Sequence, residues 1–576
     1  MINPILIGFI FFIFCYIIEL IGGDTLKNEF NDNIDCSKRE KEADLLLKNG
    51  KVVNFFSEQL EDYDVLINNG KIVGLGKYDS AKKVIDLNGK IVTAGFMDSH
   101  IHLESSIISP KNFASLALMH GTTAVLTDPH EITNVLGSEG IDFMLEATKD
   151  LLMDVFFMLP SCVPATNICD NYKAFTYEDM KKYMNNPRVL GLAEMMNYVG
   201  VINKDSEIYE KLSHFNIIDG HAPALSGDDL NAYILAGIET DHECSTIEEA
   251  LEKLKKGLYI NIREGSGAHN LKALAPLIKM PYAMRLMFAT DDKHPNEILK
   301  DGLIDYDIKM AISYGANPIT CLMMASYIPS IYLNLRDRGF IGVGKKADIV
   351  ILDNLADINV LYTIKDGKIV YDGNSLIDDK FIPYNIKNTM ETSLKTKEDF
   401  TFTTKDIGIE IIPGELLTKK FVPNQEADLC MVAVFERYHH TNNHAMCYAK
   451  GYNLKSGAIA TSVAHDSHNI IVIGTNVDDM VLAVNTIIQS GGGMVVCNNG
   501  QVLSSLSLDI AGLMTSLPVM EVIDKINELK KQAYLMGVPE GIDPFMNLSF
   551  LSLPVIPEIK ITSRGIVDVI KNEIIK

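Results

Sequence analysis

The sequence is short of positive charge, with 52 Lys and Arg against 75 Asp and Glu and a formal charge of −23. General binding to nucleic acid needs a basic surface to displace counterions from phosphate, so this balance argues against that class of partner. Cysteine is sparse and scattered: nine residues, an odd number, with no Cys-x-x-Cys pair. That argues against a disulfide framework and a thiolate zinc site and favours a reducing compartment. There is no Gly-x-Gly-x-x-Gly spacing and no phosphate-loop lysine, so the glycines 491–493 read as a tight turn. Long apolar runs are also scarce. The longest, Ile5–Ile18, meets its first charge at Glu19 and fades after Ile21. A bilayer span needs about 20 apolar residues, so the run is nearer in length to a signal-peptide core. Yet no Lys or Arg precedes it, and no clear small-residue cleavage site follows. Residues 1–42 therefore stand as a hydrophobic segment with a polar linker, open to three readings: a membrane-targeting anchor, a dispensable extension, or a mis-called start.

What the chain does have is a core. Apolar residues make up 47% of the 576 and charged residues 22%, the proportions of a globular protein. Between Ala43 and Thr93, short β-like runs are punctuated by Asn49-Gly50, Asn69-Gly70 and Asn88-Gly89, and the device returns at Asp366-Gly367. These dipeptides tolerate positive φ and signal hairpins. Residues 43–93 and 336–385 are thus expected to form one small composite β domain around an insert. In the insert, 94–335, the runs AGFMD, TTAVLTD, VFFML, VLGLA, IID, GIETD, YINI and RLMFAT alternate with helical stretches. That pattern predicts an α/β fold, a (β/α)8 barrel whose active site lies at the C-terminal ends of its strands. Residues 386–576 lie outside this pattern and are expected to form a further C-terminal α/β domain, on the resemblance given below.

The residues after those runs carry the chemistry. His100 and His102 follow the first, and strand alternation turns both imidazoles to one side. Glu194 follows VLGLA, His221 follows IIDG, His242 follows ETD, and Asp291 follows RLMFAT. Four imidazoles, a carboxylate able to bridge and a further carboxylate are the ligand inventory of a two-metal hydrolase. Glu264 ends the seventh run and is placed to act as an acid. Its bland alternative is a carboxylate paired to Arg263 or a backbone turn. Glu104, His130 and Glu131 are candidates for the substrate pocket or for orienting ligands. His465, Asp466 and His468 form a late cluster, read as structural polar residues near an interface, with a second metal site as the alternative.

The motifs AGFMDSHIHLESS, GTTAVLTDPHEITNV, GLAEMMNYVGVI, DGHAPALSGDDLNAYILAGIETDHECST, YINIREGS and ATDDKHP resemble those of bacterial-type adenine deaminases of the amidohydrolase superfamily. The resemblance runs from about Ala43 to the C-terminus, and FERYHH, SGGGMVV and PFMNLSFLSLPVIPEIKIT carry it through the last domain. It implies that His100, His102, Glu194, His221 and His242 are metal ligands, with Glu194 bridging where many relatives use a carboxylated lysine. Asp291 would ligate and shuttle protons, and Glu264 would protonate the ring. The implied cofactor is a pair of divalent ions, Mn²⁺ or Fe²⁺ ahead of Zn²⁺. Adenine is the implied substrate, the assembly a homo-oligomer such as a dimer, and the location cytoplasmic unless residues 5–21 anchor the chain. One segment departs from the family pattern: after Tyr438 the chain is richer in His and Asn than the glycine-bearing stretch expected there.

Two other functions compete. A dihydropyrimidinase-like hydrolase would open a cyclic amide or ureide, but those relatives place lysine where this chain has Glu194, and they lack the last domain. A barrel kept only as a scaffold would be expected to lose its ligands, and all six are present. The nucleobase deaminases with a His-x-Glu and Pro-Cys-x-x-Cys signature are excluded, because the second half is missing.

Overall fold

The computed structural model describes residues 26–374, 380–413, 415–423 and 429–575, so the apolar run Ile5–Ile18 lies outside the described residues. Among those described, no helix is long and apolar enough to cross a membrane. The chain divides into two compact units, one of residues up to Phe96 with Pro318–Asn374, the other of Met97–Asn317 with Ser375–Lys576.

The first unit holds two sheets. A four-stranded sheet runs in the order Lys71–Gly76, Asp64–Asn68, Leu45–Lys48, Lys83–Asp86. A six-stranded sheet runs Lys368–Tyr371, Val360–Lys365, Ile349–Leu352, Ile91–Ala94, Lys51–Asn54, Gln59–Glu61, and so joins the two distant segments. The Asn/Asp-Gly turns explain the split. Asn69-Gly70 and Asp366-Gly367 close hairpins, whereas Asn49-Gly50 and Asn88-Gly89 carry the chain from one sheet to the other. The dipeptide specifies positive φ, here 57° at Asn49 and 49° at Asn88, but not which strand is paired next. The polar stretch expected as a linker also differs: residues 26–37 are helical. Cys36 joins Ala43, Leu46, Leu66 and Val73 in an apolar cluster, which ties that helix down.

The second unit contains the barrel. Its strands are β1 (Phe96–Ile101), β2 (Thr122–Thr127), β3 (Asp154–Leu159), β4 (Val189–Met195), β5 (Ile218–Gly220), β6 (Thr240–Asp241), β7 (Tyr259–Arg263) and β8 (Leu286–Ala289). They are the eight runs read from the sequence. β1 to β5 form one sheet and β6 to β8 another, with parallel pairing between β2 and β5 and from β6 to β8. Two seams close the ring. The Glu239 amide donates to the Ile218 carbonyl at 3.1 Å, and the amides of His102 and Asp291 donate to the carbonyls of Asp291 and His100 at 3.1 and 3.0 Å. Helices start on local signals: Ser109 accepts the Asn112 amide ahead of Pro110, and Thr246 accepts that of Glu249.

In the same unit an eight-stranded sheet runs Thr418–Phe421, Gly408–Ile411, His444–Lys450, Cys430–Phe435, Ile470–Gly474, Ala458–Thr461, Gly493–Asn498, Gln501–Ser507. The helix Val477–Ser490 buries Met480, Ala483, Val484 and Ile487 against Ala433, Phe435, Ala460 and Val472. Gly491 at φ 76° ends it, which accounts for the triple glycine as a turn. After Tyr438, His440 and Asn442 take φ of 51° and 59°, so the His/Asn-rich segment makes left-handed turns without glycine.

Candidate metal centre at the barrel mouth

β1 carries His100 and runs into His102, both buried. What each ring donates to sets its orientation. His100 Nδ1 donates to Asp219 Oδ2 at 2.7 Å, and His102 Nδ1 to the Asp128 carbonyl at 2.9 Å. Each Nε2 therefore turns its lone pair toward the cavity, as metal-bound imidazoles require. His100 Nε2 has no protein hydrogen-bond partner.

Glu194, on β4, stands between two pairs of imidazoles. Its Oε1 lies 3.9 Å from His100 Nε2 and 3.3 Å from His102 Nε2. Oε2 lies 2.8 Å from His221 Nδ1 and 3.4 Å from His242 Nε2. One carboxylate thus faces both pairs, the placement of a bridging ligand. Asp291 Oδ1 lies 3.7 and 3.2 Å from the same nitrogens of His100 and His102. The Asp291 backbone sits at φ 59°, a region that costs a non-glycine residue of order 1 kcal/mol and recurs at functional sites. The seam with β1 and the Arg263 guanidinium, which donates to Asp291 Oδ2, hold it there.

Buried braces fix the remaining ligands. The Tyr233 hydroxyl accepts the His221 amide at 3.0 Å and donates to the Met195 carbonyl at 2.8 Å, tying the ends of β4 and β5 together. Asp241 accepts the Ala222 amide at 2.8 Å and pairs with buried Lys253 at 2.9 Å. Burial pushes the Glu194 and Asp291 carboxyls up. Histidines His102 and His221 for the first, and Arg263 and His102 for the second, outweigh it and hold both well below the ordinary range. Burial opposes charge on His100, yet Asp219 and Glu194 raise it to about 9. This is a site of facing opposite charges in which a divalent cation would replace protons. Four imidazoles and two carboxylates, with lone pairs aimed inward and one nitrogen orphaned, fit such an ion.

The other expected residues divide. His130 and Glu131 line the pocket above the cluster, and His130 Nδ1 donates to Asp128 Oδ2 at 2.9 Å. Glu104 does not line it. Its Oε1 accepts the Ile132 amide at 3.1 Å, bracing the helix His130–Leu136, and burial pushes its carboxyl up to about 7. Glu264 is not brought to the pocket wall either: its carboxylate accepts from His269 Nδ1 at 3.0 Å and from the Leu271 amide at 3.2 Å. Nor is Arg263 its partner, since that guanidinium pairs with Asp291 and, at 2.7 Å, with Glu243.

Glu243 is what the sequence reading missed. It lines the pocket, its Oε1 3.5 Å from His221 Nδ1 and 3.4 Å from His242 Nε2. The signal was adjacency: β6 is two residues long, so the residue after His242 is still on the rim.

Comparison with known proteins agrees over most of the chain. The amidohydrolase family matches residues 91–370, and the adenine deaminase C-terminal domain matches 409–573. The chain is 42% identical over 566 residues to the adenine deaminase of Kosmotoga olearia, covering 94% of this chain and 98% of that one. It is 42% identical to adenine deaminase 2 of Carboxydothermus hydrogenoformans, over 93% and 97% of the two chains. Against the adenine deaminase of Clostridium acetobutylicum the identity is again 42%, over 92% and 97%.

Proposed function

This chain belongs to the adenine deaminase family of amidohydrolases, and on that premise we propose that its barrel mouth hydrolyses adenine to hypoxanthine and ammonia. The observation that carries the reading is the position of Glu194 between two pairs of imidazoles, with Asp291 beside it. His100, His102, Glu194, His221, His242 and Asp291 would hold two divalent ions, which lower the pKa of a water molecule to about 7. The donors include no thiolate, which suits Mn²⁺ or Fe²⁺ as well as Zn²⁺.

The chain's own residues manage the protons. Asp291 takes one from the attacking water as oxygen bonds to C6 and the C6–N1 π pair moves onto N1. Glu243, in the pocket wall, donates a proton to N1, and we assign it this role in place of Glu264, whose carboxylate is bonded to His269 and Leu271. Asp291 then returns its proton to the amino nitrogen, the C6–N6 pair leaves with it as ammonia, and the hydroxyl proton restores Glu243 as C6=O forms. Arg263, bonded to both carboxylates, keeps the two proton carriers in register. Cytoplasmic residence accords with the eight cysteines among the described residues, all free and buried, and a homodimer is the expected assembly. Ammonia release from adenine by metal-loaded protein tests the reading. Hydrolysis of a cyclic ureide with adenine untouched would overturn it.

A further inference from the structure

The pocket above the metal centre is walled partly by residues far along the chain: His465, Asp466, Phe550, Leu553 and Ile556. Two of these are polar and arranged as a pair. His465 Nδ1 donates to Glu131 Oε1 at 2.5 Å, and Glu131 Oε2 receives His468 Nε2. His468 Nδ1 accepts the Ala464 amide at 3.1 Å, which fixes the ring proton on Nε2. With that nitrogen protonated, the trio Glu131, His465 and His468 does not offer a metal the lone pairs it needs, and acts instead to aim His465. The His465 ring lies flat against Phe550, centroids 4.4 Å apart. Burial disfavours its charge, but Glu131, Asp292 and Asp466 outweigh burial and lift it to about 9, with His468 and His294 the nearby imidazoles. At neutral pH its second nitrogen is therefore a donor.

Asp466 is the complement. It is buried, its Oδ1 is 3.8 Å from His130 Nε2, and its Oδ2 has no hydrogen-bond partner. A buried carboxylate oxygen left unpaired is costly, so a donor brought by the substrate is the economical explanation. The spacing suits a bicyclic base. His130 Nδ1 is 3.6 Å from Glu194 and its Nε2 3.8 Å from Asp466, so one imidazole ring separates the metal centre from this wall.

Resting on the adenine reading above, we propose that Asp466 and His465 recognise the far edge of the free purine base. Asp466 accepts the N9–H, and His465 donates to the neighbouring N3. The C-terminal domain thereby selects the free base over N9-substituted purines, because a substituent at N9 both removes the donor and meets the wall.

The test compares adenine with 9-methyladenine on the full chain loaded with Mn²⁺. Wild type should prefer adenine by about 10²-fold or more in kcat/KM, the upper end of what one hydrogen bond to a charged group is worth. Asp466→Ala should lose ~10- to 10²-fold on adenine, mostly in KM, and shrink that preference below ~10-fold with metal content unchanged. His465→Gln should weaken adenine binding in the same direction. If Asp466→Ala does not fold, Asp466→Asn, which turns a donor toward N9–H, serves in its place. An unchanged preference in a folded, metal-replete variant overturns the proposal, as does a wild type that turns over both compounds equally. Failure of wild type on adenine itself would instead sink the deamination reading.

Discussion

The barrel mouth and the C-terminal region bury charge in different ways. At the mouth, Lys253 is fully buried but bonded to Asp241 and Glu249, and Arg263 to Asp291 and Glu243. In the C-terminal region, Lys560, on the strand Ile559–Thr562 outside the eight-stranded sheet, is equally buried and donates to the Leu416 carbonyl at 2.9 Å, and burial alone lowers it to about 7. Arg437 donates to Ala511 O at 2.7 Å and to Thr389 at 3.3 Å, while Nε and Nη1 have no partner. The mouth sets its buried cations against carboxyl groups, among them the two that carry protons in the proposed reaction. The C-terminal region tolerates these two cations without a carboxylate at the expense of stability, and it meets the barrel in paired networks at Glu131, which bonds His465 and His468, and at Asp170, which pairs with Arg564.

That contrast can be broken at several points. Glu194→Gln should be the most damaging change at the mouth, lowering metal content and cutting turnover by ~10⁴-fold or more, because it removes a shared ligand. Elemental analysis beside single-turnover rates reads both, and full metal occupancy would contradict the bridging role. Next come the two glutamates that compete for the acid's role. Glu243→Gln should lose ~10²- to 10⁴-fold in turnover, and Glu264→Gln less than ~10-fold, since only the former faces the pocket. The reverse order would restore Glu264.

Glu131→Ala tests the junction. It strips His465 and His468 of their shared carboxylate, and breaking a buried pair costs about 3 kcal/mol, which should appear as a thermal midpoint lowered by several degrees. The last test, which touches pH dependence and not activity, is Lys560→Met. The unfolded chain binds a proton on this lysine up to its ordinary range, whereas the folded chain releases it above about 7. Wild-type stability should therefore rise between pH 7 and 10, and the variant should lose that slope and gain most at pH 7. Unfolding midpoints across that window measure it.

The barrel was legible because its strands are continuous apolar runs and its chemistry sits at one fixed place, the residue after each run. His100, His102, Glu194, His221, His242 and Asp291 come together for that reason. Glu264 obeys the same rule yet fails to reach the pocket, because the chain after β7 folds back and His269 and Leu271 capture its carboxylate. A local rule could not foresee a contact five and seven residues away. Glu243 was hidden behind its neighbour. The pairing of Glu131 with His465, 334 residues later, had no local trace at all. In the first unit, Asn-Gly gave the turn conformation and left the pairing open.

Asp291 is both a proton carrier and the stitch by which the last strand meets the first. The chain therefore cannot assemble the centre piecemeal: until residue 291 has been made and docked on β1, His100 and His102 lack one of their opposing carboxylates. Contacts this distant in sequence form late and slowly. Docking of the last strand on the first therefore completes the set of donors around His100 and His102.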